Sequence, residues 1–231
     1  MHRLIRGLHH VTATVADAQA DLDFYAGSLG QRLVKKTVNF DNPGVYHLYY
    51  GNESGTPGTI MTTFPYSGMG VRTGIHGAGQ ITVTSFSVPS RALDFWRKRL
   101  AERGIAYADD QSSFGEETLR FRDPSGLDVR LVGNERDDRA PWAIPDIGAD
   151  RAIRGIHGVT LLVRDPARTV AFLNQLLDGA VVNESADTVR VGINGNAPGQ
   201  VVEVTGAAGA PDAVNGLGTV HHVAFAVEGN E

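Results

Sequence analysis

Three glycines that close helix-like stretches, Gly30, Gly104 and Gly179, stand 74 and 75 residues apart. A period of that length makes the chain an array of one supersecondary unit, which restricts its fold more than any composition figure. The first unit reads as a strand over 9–15, a helix carrying Leu22, Phe24, Tyr25 and Leu29, and strands over 33–40, 45–50 and 59–64. The second repeats it with a strand over 80–88, a helix on Ala92, Phe95, Trp96 and Leu100, and strands over 105–108, 117–122 and 127–132. In the third, a strand over 158–163 precedes a helix opened by Asp165 and Pro166, carrying Val170, Leu173 and Leu177 and stopped at Gly179, the usual proline-in, glycine-out asymmetry. Strands over 188–193 and 200–204 follow, and a fourth unit begins with a strand over 221–227. This order predicts an α+β fold of repeated βαβββ units in two domains, 6–133 and 154–231, joined by a charged linker over 134–153. The fourth unit lacks its helix and later strands, so the second domain reads as truncated.

Composition then removes whole classes of chemistry. The 231 residues contain no cysteine, which excludes disulfides, thiolate zinc sites and cysteine nucleophiles and leaves His, carboxylate or water to bind any metal. The formal charge is −5, and Lys and Arg are scattered apart from Arg97-Lys98-Arg99, so no nucleic-acid partner is expected. No apolar run approaches the length of a membrane span and the start has no leader pattern, giving a cytoplasmic expectation with no membrane partner. The glycine-rich stretch around His76, residues 74–79, lacks the strand and helix that would make it a phosphate loop. No serine nucleophile elbow is present.

The dipeptide His-His occurs twice, at His9-His10 and His221-His222, each opening an apolar, β-branched run. Alternation along a strand places His10 with Thr12, and His222 with Ala224, on one face, and sends His9 and His221 to the other. One reading is a divalent metal held between repeats by His10 and His222; the other is a set of buried strand histidines. His157 aligns with His9 rather than His10 and reads as structural. Four residues after the glycine of each unit's last strand stand Thr62, Arg130 and Glu203. Only Glu203 could bind a metal, and with Gly158 in place of a histidine it reads instead as solvent-facing or salt-bridged. His47 shares a face with Tyr49 and is expected to be a half-buried strand residue, with pocket lining as the alternative.

The paired βαβββ units resemble the vicinal oxygen chelate superfamily, which includes glyoxalase I, bleomycin-resistance proteins and extradiol dioxygenases. Four strings narrow the resemblance to the hydroquinone ring-cleaving 1,2-dioxygenases: residues 8–12 (LHHVT), 30–37 (GQRLVKKT), 46–50 (YHLYY) and 55–65 (GTPGTIMTTFP). The likeness is strongest over 7–65, recognisable over 76–133 and 218–227, and weak over 155–206. It implies half-barrels around a non-haem Fe(II), with Mn(II) as second choice, ligated by His10, His222 and a Glu beyond Glu231. Hydroquinone-type aromatics and dioxygen would be the substrates in aromatic degradation, with His9 and His221 as catalytic residues that move protons or orient their neighbours. A homo-oligomer would be compatible with it. As a fragment the chain would be inactive unless a longer chain or a partner subunit supplied the carboxylate. The competing classes are a glyoxalase-like metal-dependent isomerase and a metal-free module that binds a small drug.

Overall fold

A computed structural model describes residues 4–228. Unit one comprises β1 (Ile5–Val15), α1 (Ala18–Leu22), β2 (Arg32–Val38), β3 (Tyr46–Gly51) and β4 (Ile60–Pro65). Unit two comprises β5 (Gln80–Val88), α2 (Leu93–Glu102), β6 (Tyr107–Gln111), β7 (Glu117–Arg122) and β8 (Asp128–Gly133). Unit three comprises β9 (Gly155–Val163), α3 (Pro166–Leu177), β10 (Gly179–Glu184), β11 (Thr188–Ile193) and β12 (Val201–Gly206), and β13 (Thr219–Val227) opens the fourth. The expected α+β order is therefore present, with one strand added, β10. Its residues Val181 and Val182 are exposed and Gly179 opens it, so the stretch had no alternating apolar signal of its own.

Local chemistry accounts for the helices. Asp17 caps α1 by accepting from the amides of Gln19 and Ala20. The helix then widens into a π-helical turn over Asp23–Ser28, closed where the Leu29 amide donates to the Phe24 carbonyl. That extra residue per turn brings adjacent Phe24 and Tyr25 both into the core. Asp165 caps α3 through the Arg168 amide, and Pro166 stands in its first turn. The left-handed residue that ends α3 is Asp178 (φ 50°), one before the glycine expected to do so. Gly179 is needed for space, since a Cβ there would lie 2.8 Å from a Val191 methyl.

Two sheets result, and each mixes units from both halves of the chain. Five strands run in the order β13-β1-β4-β3-β2 and eight in the order β10-β11-β12-β9-β5-β8-β7-β6. Unit one thus joins the fourth unit through antiparallel β1 and β13, and unit two joins unit three through antiparallel β5 and β9. Among the described residues, three first strands also have a parallel neighbour from their own unit: β4 beside β1, β8 beside β5, β12 beside β9. A single apolar cluster spans the units, from Leu8 and Val11 through Trp96 and Leu131 to Ile156 and Val204. Arg139, paired with Asp137, pins the 134–153 segment by donating to the carbonyls of Gly58 and Ile156.

The segments that lead into β5 and β13 run side by side, bridged at Thr73–Leu217, Ile75–Val214 and Ala78–Asp212. Their glycines let backbone meet backbone: a Cβ on Gly77 would lie 2.4 Å from the Pro211 carbonyl oxygen, and one on Gly216 2.4 Å from that of Arg72. His76 lies in this seam with Nε2 2.7 Å from the Gly218 carbonyl oxygen, which gives the glycine-rich loop its structural purpose.

A buried carboxyl sits beneath the first unit. Asp21 is 2% exposed, and its Oδ2 accepts from the hydroxyls of Tyr50 (2.7 Å) and Thr63 (2.6 Å). Burial pushes its pKa up from 3.8 to about 7 against the pull of those hydrogen bonds, and the nearby Asp123 adds to the rise. The folded chain therefore holds a proton that the unfolded chain has lost between pH 3.8 and about 7, so stability falls as pH rises through that window. Asp21→Asn is expected to stabilise the fold at pH 8 by about 2 kcal/mol and to have little effect at pH 4. Urea denaturation at the two pH values checks this.

Candidate metal centre

The two His-His pairs meet at the β1–β13 seam. His10 Nε2 lies 3.2 Å from His222 Nε2, His9 Nδ1 2.9 Å from His10 Nδ1, and His221 Nδ1 2.9 Å from His222 Nδ1. Four imidazoles stand in file, each ring nearly perpendicular to the next at centroid separations of 5.0, 5.3 and 5.1 Å. Strict alternation predicted that His9 and His221 would face away, and here the expectation needs correction. Leu8 pairs with Phe225 and His10 with Ala224, which leaves His9 as an extra residue on β1. Thr12 pairs with His222 and Ala13 with Val220, which leaves His221 as an extra residue on β13. Each pair contains one bulge, and a β-bulge re-aims a side chain that regular pleating would send elsewhere.

The central nitrogens are prepared to act as lone-pair donors. Burial, then the proximity of His222, His9 and His47, lowers the His10 pKa to about 4, and burial followed by the neighbouring His221 lowers that of His222. Both imidazoles are thus neutral near pH 7. Two nitrogens bound side by side on one divalent ion, each at about 2.1 Å, lie about 3 Å apart at a right angle, close to the 3.2 Å that separates this pair. His10 and His222 therefore fit a metal, and His9 and His221 hold the remote nitrogens of the two rings in the way outer groups fix a ligand's tautomer. Among the described residues no group of three or more His, Asp or Glu side chains is arranged to hold a metal ion. The described centre thus offers two candidate ligands, His10 and His222.

A hydroxyl and imidazole network runs outward from it. Thr12 Oγ1 is 3.0 Å from His222 Nε2 and 2.7 Å from Thr62 Oγ1, and Thr62 Oγ1 is 3.0 Å from His47 Nε2. The Tyr49 hydroxyl is 2.8 Å from His47 Nδ1. Burial, and then the charges of His222 and Lys35, bring the His47 pKa down to about 4. His47 is half-buried, as expected, and is connected to the centre through two threonines; only its shared face with Tyr49 hinted at this in the sequence. His157 and Glu203 stand in the other sheet, on β9 and β12. Glu203 is salt-bridged and buried rather than solvent-facing.

Because protons compete with metal for the same lone pairs, the lowered His10 pKa moves that competition down in pH. Metal uptake is expected to survive at pH 5.5, below the pKa of about 6.5 of a free imidazole. Metal binding measured by calorimetry from pH 7 to 4 checks this.

An array of βαβββ units of this kind is found in known proteins. The model of the Glyoxalase/Bleomycin resistance protein/Dioxygenase superfamily matches residues 7–131 and 155–230. The chain belongs to this superfamily. One relative, named "Putative ring-cleaving dioxygenase MhqO", from Bacillus subtilis (strain 168), is 42% identical over 231 residues, covering all of this chain and 72% of the relative. The chlorohydroquinone/hydroquinone 1,2-dioxygenase of Sphingobium indicum is 40% identical over 159 residues, 68% of this chain and 49% of that protein. A crystal structure of a dioxygenase, described as putative, from Bacillus subtilis superposes with a TM-score of 0.90 at 42% identity, over 97% of this chain and 71% of that one. These relatives, at 40–42% identity over most of this chain, are named ring-cleaving dioxygenases, which supports enzyme status for the chain.

Proposed function

We propose that this protein is a non-haem Fe(II)-dependent dioxygenase that opens the ring of hydroquinone-type aromatics, with dioxygen as co-substrate. The observation that carries the reading is the face-to-face approach of His10 Nε2 and His222 Nε2 at 3.2 Å, in a chain about 40% identical to named ring-cleaving dioxygenases. His10 and His222 would hold the metal. A metal there would lower the pKa of a substrate hydroxyl and bring it beside dioxygen.

The chain's own residues do the rest. His9 and His221 would orient the ligand rings through their Nδ1 contacts and would take up a proton from the substrate hydroxyl. Thr12, fully buried beside His222, can hydrogen-bond a group at the centre. The third ligand would be a carboxylate on a strand added in parallel to the free edge of β13, as β4, β8 and β12 are added to the other first strands. Unit three supports that placement, since Glu203 stands on β12 directly beside Thr160 of its first strand.

The test compares this chain with one extended through a complete fourth unit, both reconstituted anaerobically with Fe(II), by iron content and oxygen uptake on hydroquinone. Iron binding and hydroquinone-dependent oxygen uptake by the extended chain support the proposal. Absence of both would favour a metal-free binding module, and metal binding without oxygen uptake would favour an isomerase.

A further inference from the structure

The eight-stranded sheet repeats the architecture of the histidine seam, and its register shows which residues correspond. The pairs Thr12–His222 and His10–Ala224 at the centre of one sheet match Ser85–Gly158 and Val83–Thr160 at the centre of the other. The parallel neighbours agree: Thr12 lies beside Thr62, Ser85 beside Arg130, and Thr160 beside Glu203. The places of the two central imidazoles are thus taken by Val83 and Gly158, neither of which can bind a metal.

A buried ionic cluster occupies this second concavity. Arg190, 6% exposed, donates through Nη1 to Glu116 Oε1 (2.9 Å) and through Nη2 to both Glu203 Oε1 (2.7 Å) and Glu116 Oε2 (2.5 Å). Arg130 Nη1 lies 3.6 Å from Glu203 Oε2, and Thr160 donates to that same oxygen. Ser112 donates to Glu116 Oε2, and the Phe114 ring lies 4.4 Å from the Arg190 guanidinium carbon. His157 is 4% exposed, with Nε2 3.6 Å from Glu116 Oε1 and neither ring nitrogen hydrogen-bonded. A cavity of about 560 Å³ opens over Glu116, His157 and Arg190.

A buried carboxylate (Glu203) and a partly buried one (Glu116) this close together are held by the cation between them, and the His157 imidazole beside them keeps an Nδ1 without a hydrogen-bond partner. We propose that the second concavity is a cation site whose resident cation is the protein's own Arg190 guanidinium, and that removing it unmasks a divalent-metal site made of Glu116, Glu203 and His157. Two carboxylates and one imidazole suit a hard to borderline ion such as Mn²⁺. The native chain thereby keeps metal out of this half and reserves it for the histidine seam.

The experiment uses the full chain carrying His10→Ala and His222→Ala, so that the first centre contributes nothing, and Mn²⁺ as the probe. This background is expected to bind no Mn²⁺. Adding Arg190→Ala should create one Mn²⁺ site per chain, read by calorimetry and by the electron paramagnetic resonance of the bound ion, and a further His157→Ala should weaken it at least tenfold. The lost cation should also lower the melting temperature, with Mn²⁺ or millimolar guanidinium restoring it, while Arg190→Lys should stay folded and metal-free. The proposal is overturned if the Arg190→Ala chain is folded and binds no Mn²⁺, or is unfolded and restored by neither cation.

Discussion

His10→Ala is expected to weaken metal binding by at least a hundredfold, about 3 kcal/mol, and to remove oxygen uptake with it. The variant loses one of the two nitrogens that face each other at 3.2 Å. His9 uses its Nδ1 against His10 itself, so its ring loses its own partner in the same step. Because His10 is only half-buried and stands at an irregular stretch of β1, the melting temperature should change little. His9→Ala is the informative contrast. Its expected loss is about ten- to hundredfold, the range for a group that orients a ligand. Equal losses for the two variants would place His9 on the metal itself.

Gly77→Val is expected to have the largest effect on folding. The added side chain would start 2.4 Å from the Pro211 carbonyl oxygen, 2.7 Å from the Ala213 amide nitrogen and 2.8 Å from the Asp212 carbonyl carbon. All three are backbone atoms, so no rotamer change relieves the contact. Forcing the two segments apart should cost about 3 kcal/mol or more and displace β13, which follows directly from the paired segment. Denaturant unfolding and metal binding should therefore fail together in this variant, whereas His10→Ala separates them. A Gly77→Val chain with native stability and metal affinity would show that the seam does not position β13.

Much of the fold can be read from the residues because each unit advertises itself several times over. Strands β5, β7 and β11 lie where their alternation puts them, and the Asp165-Pro166 start of α3 carries its own cap. What escapes is what depends on partners distant in the chain. The residues of β10 take their strand form from β11 rather than from their own pattern. Likewise, nothing in either His-His dipeptide announces a bulge, because a bulge is a mismatch between two strands and exists only once β1 has met β13. The positions of His10 and His222 follow from simple pleating, while those of His9 and His221 do not. Glu203 shows the same limit: its strand position was legible, but the guanidinium that holds it comes from β11 and its further partner from β8.

The pairing of unit one with the fourth unit and of unit two with unit three also sets a timetable. As the chain is synthesised, β1 appears early with one edge bare, while units two and three can close on each other through the 134–154 connection from β8 to β9. The histidine seam has to wait until a strand some 210 residues downstream emerges, and contacts of such separation are the slow ones to form. Any metal loading at this seam would thus follow the docking of β13. A nascent chain with β1 folded presents His10 without His222, which arrives only when β13 docks.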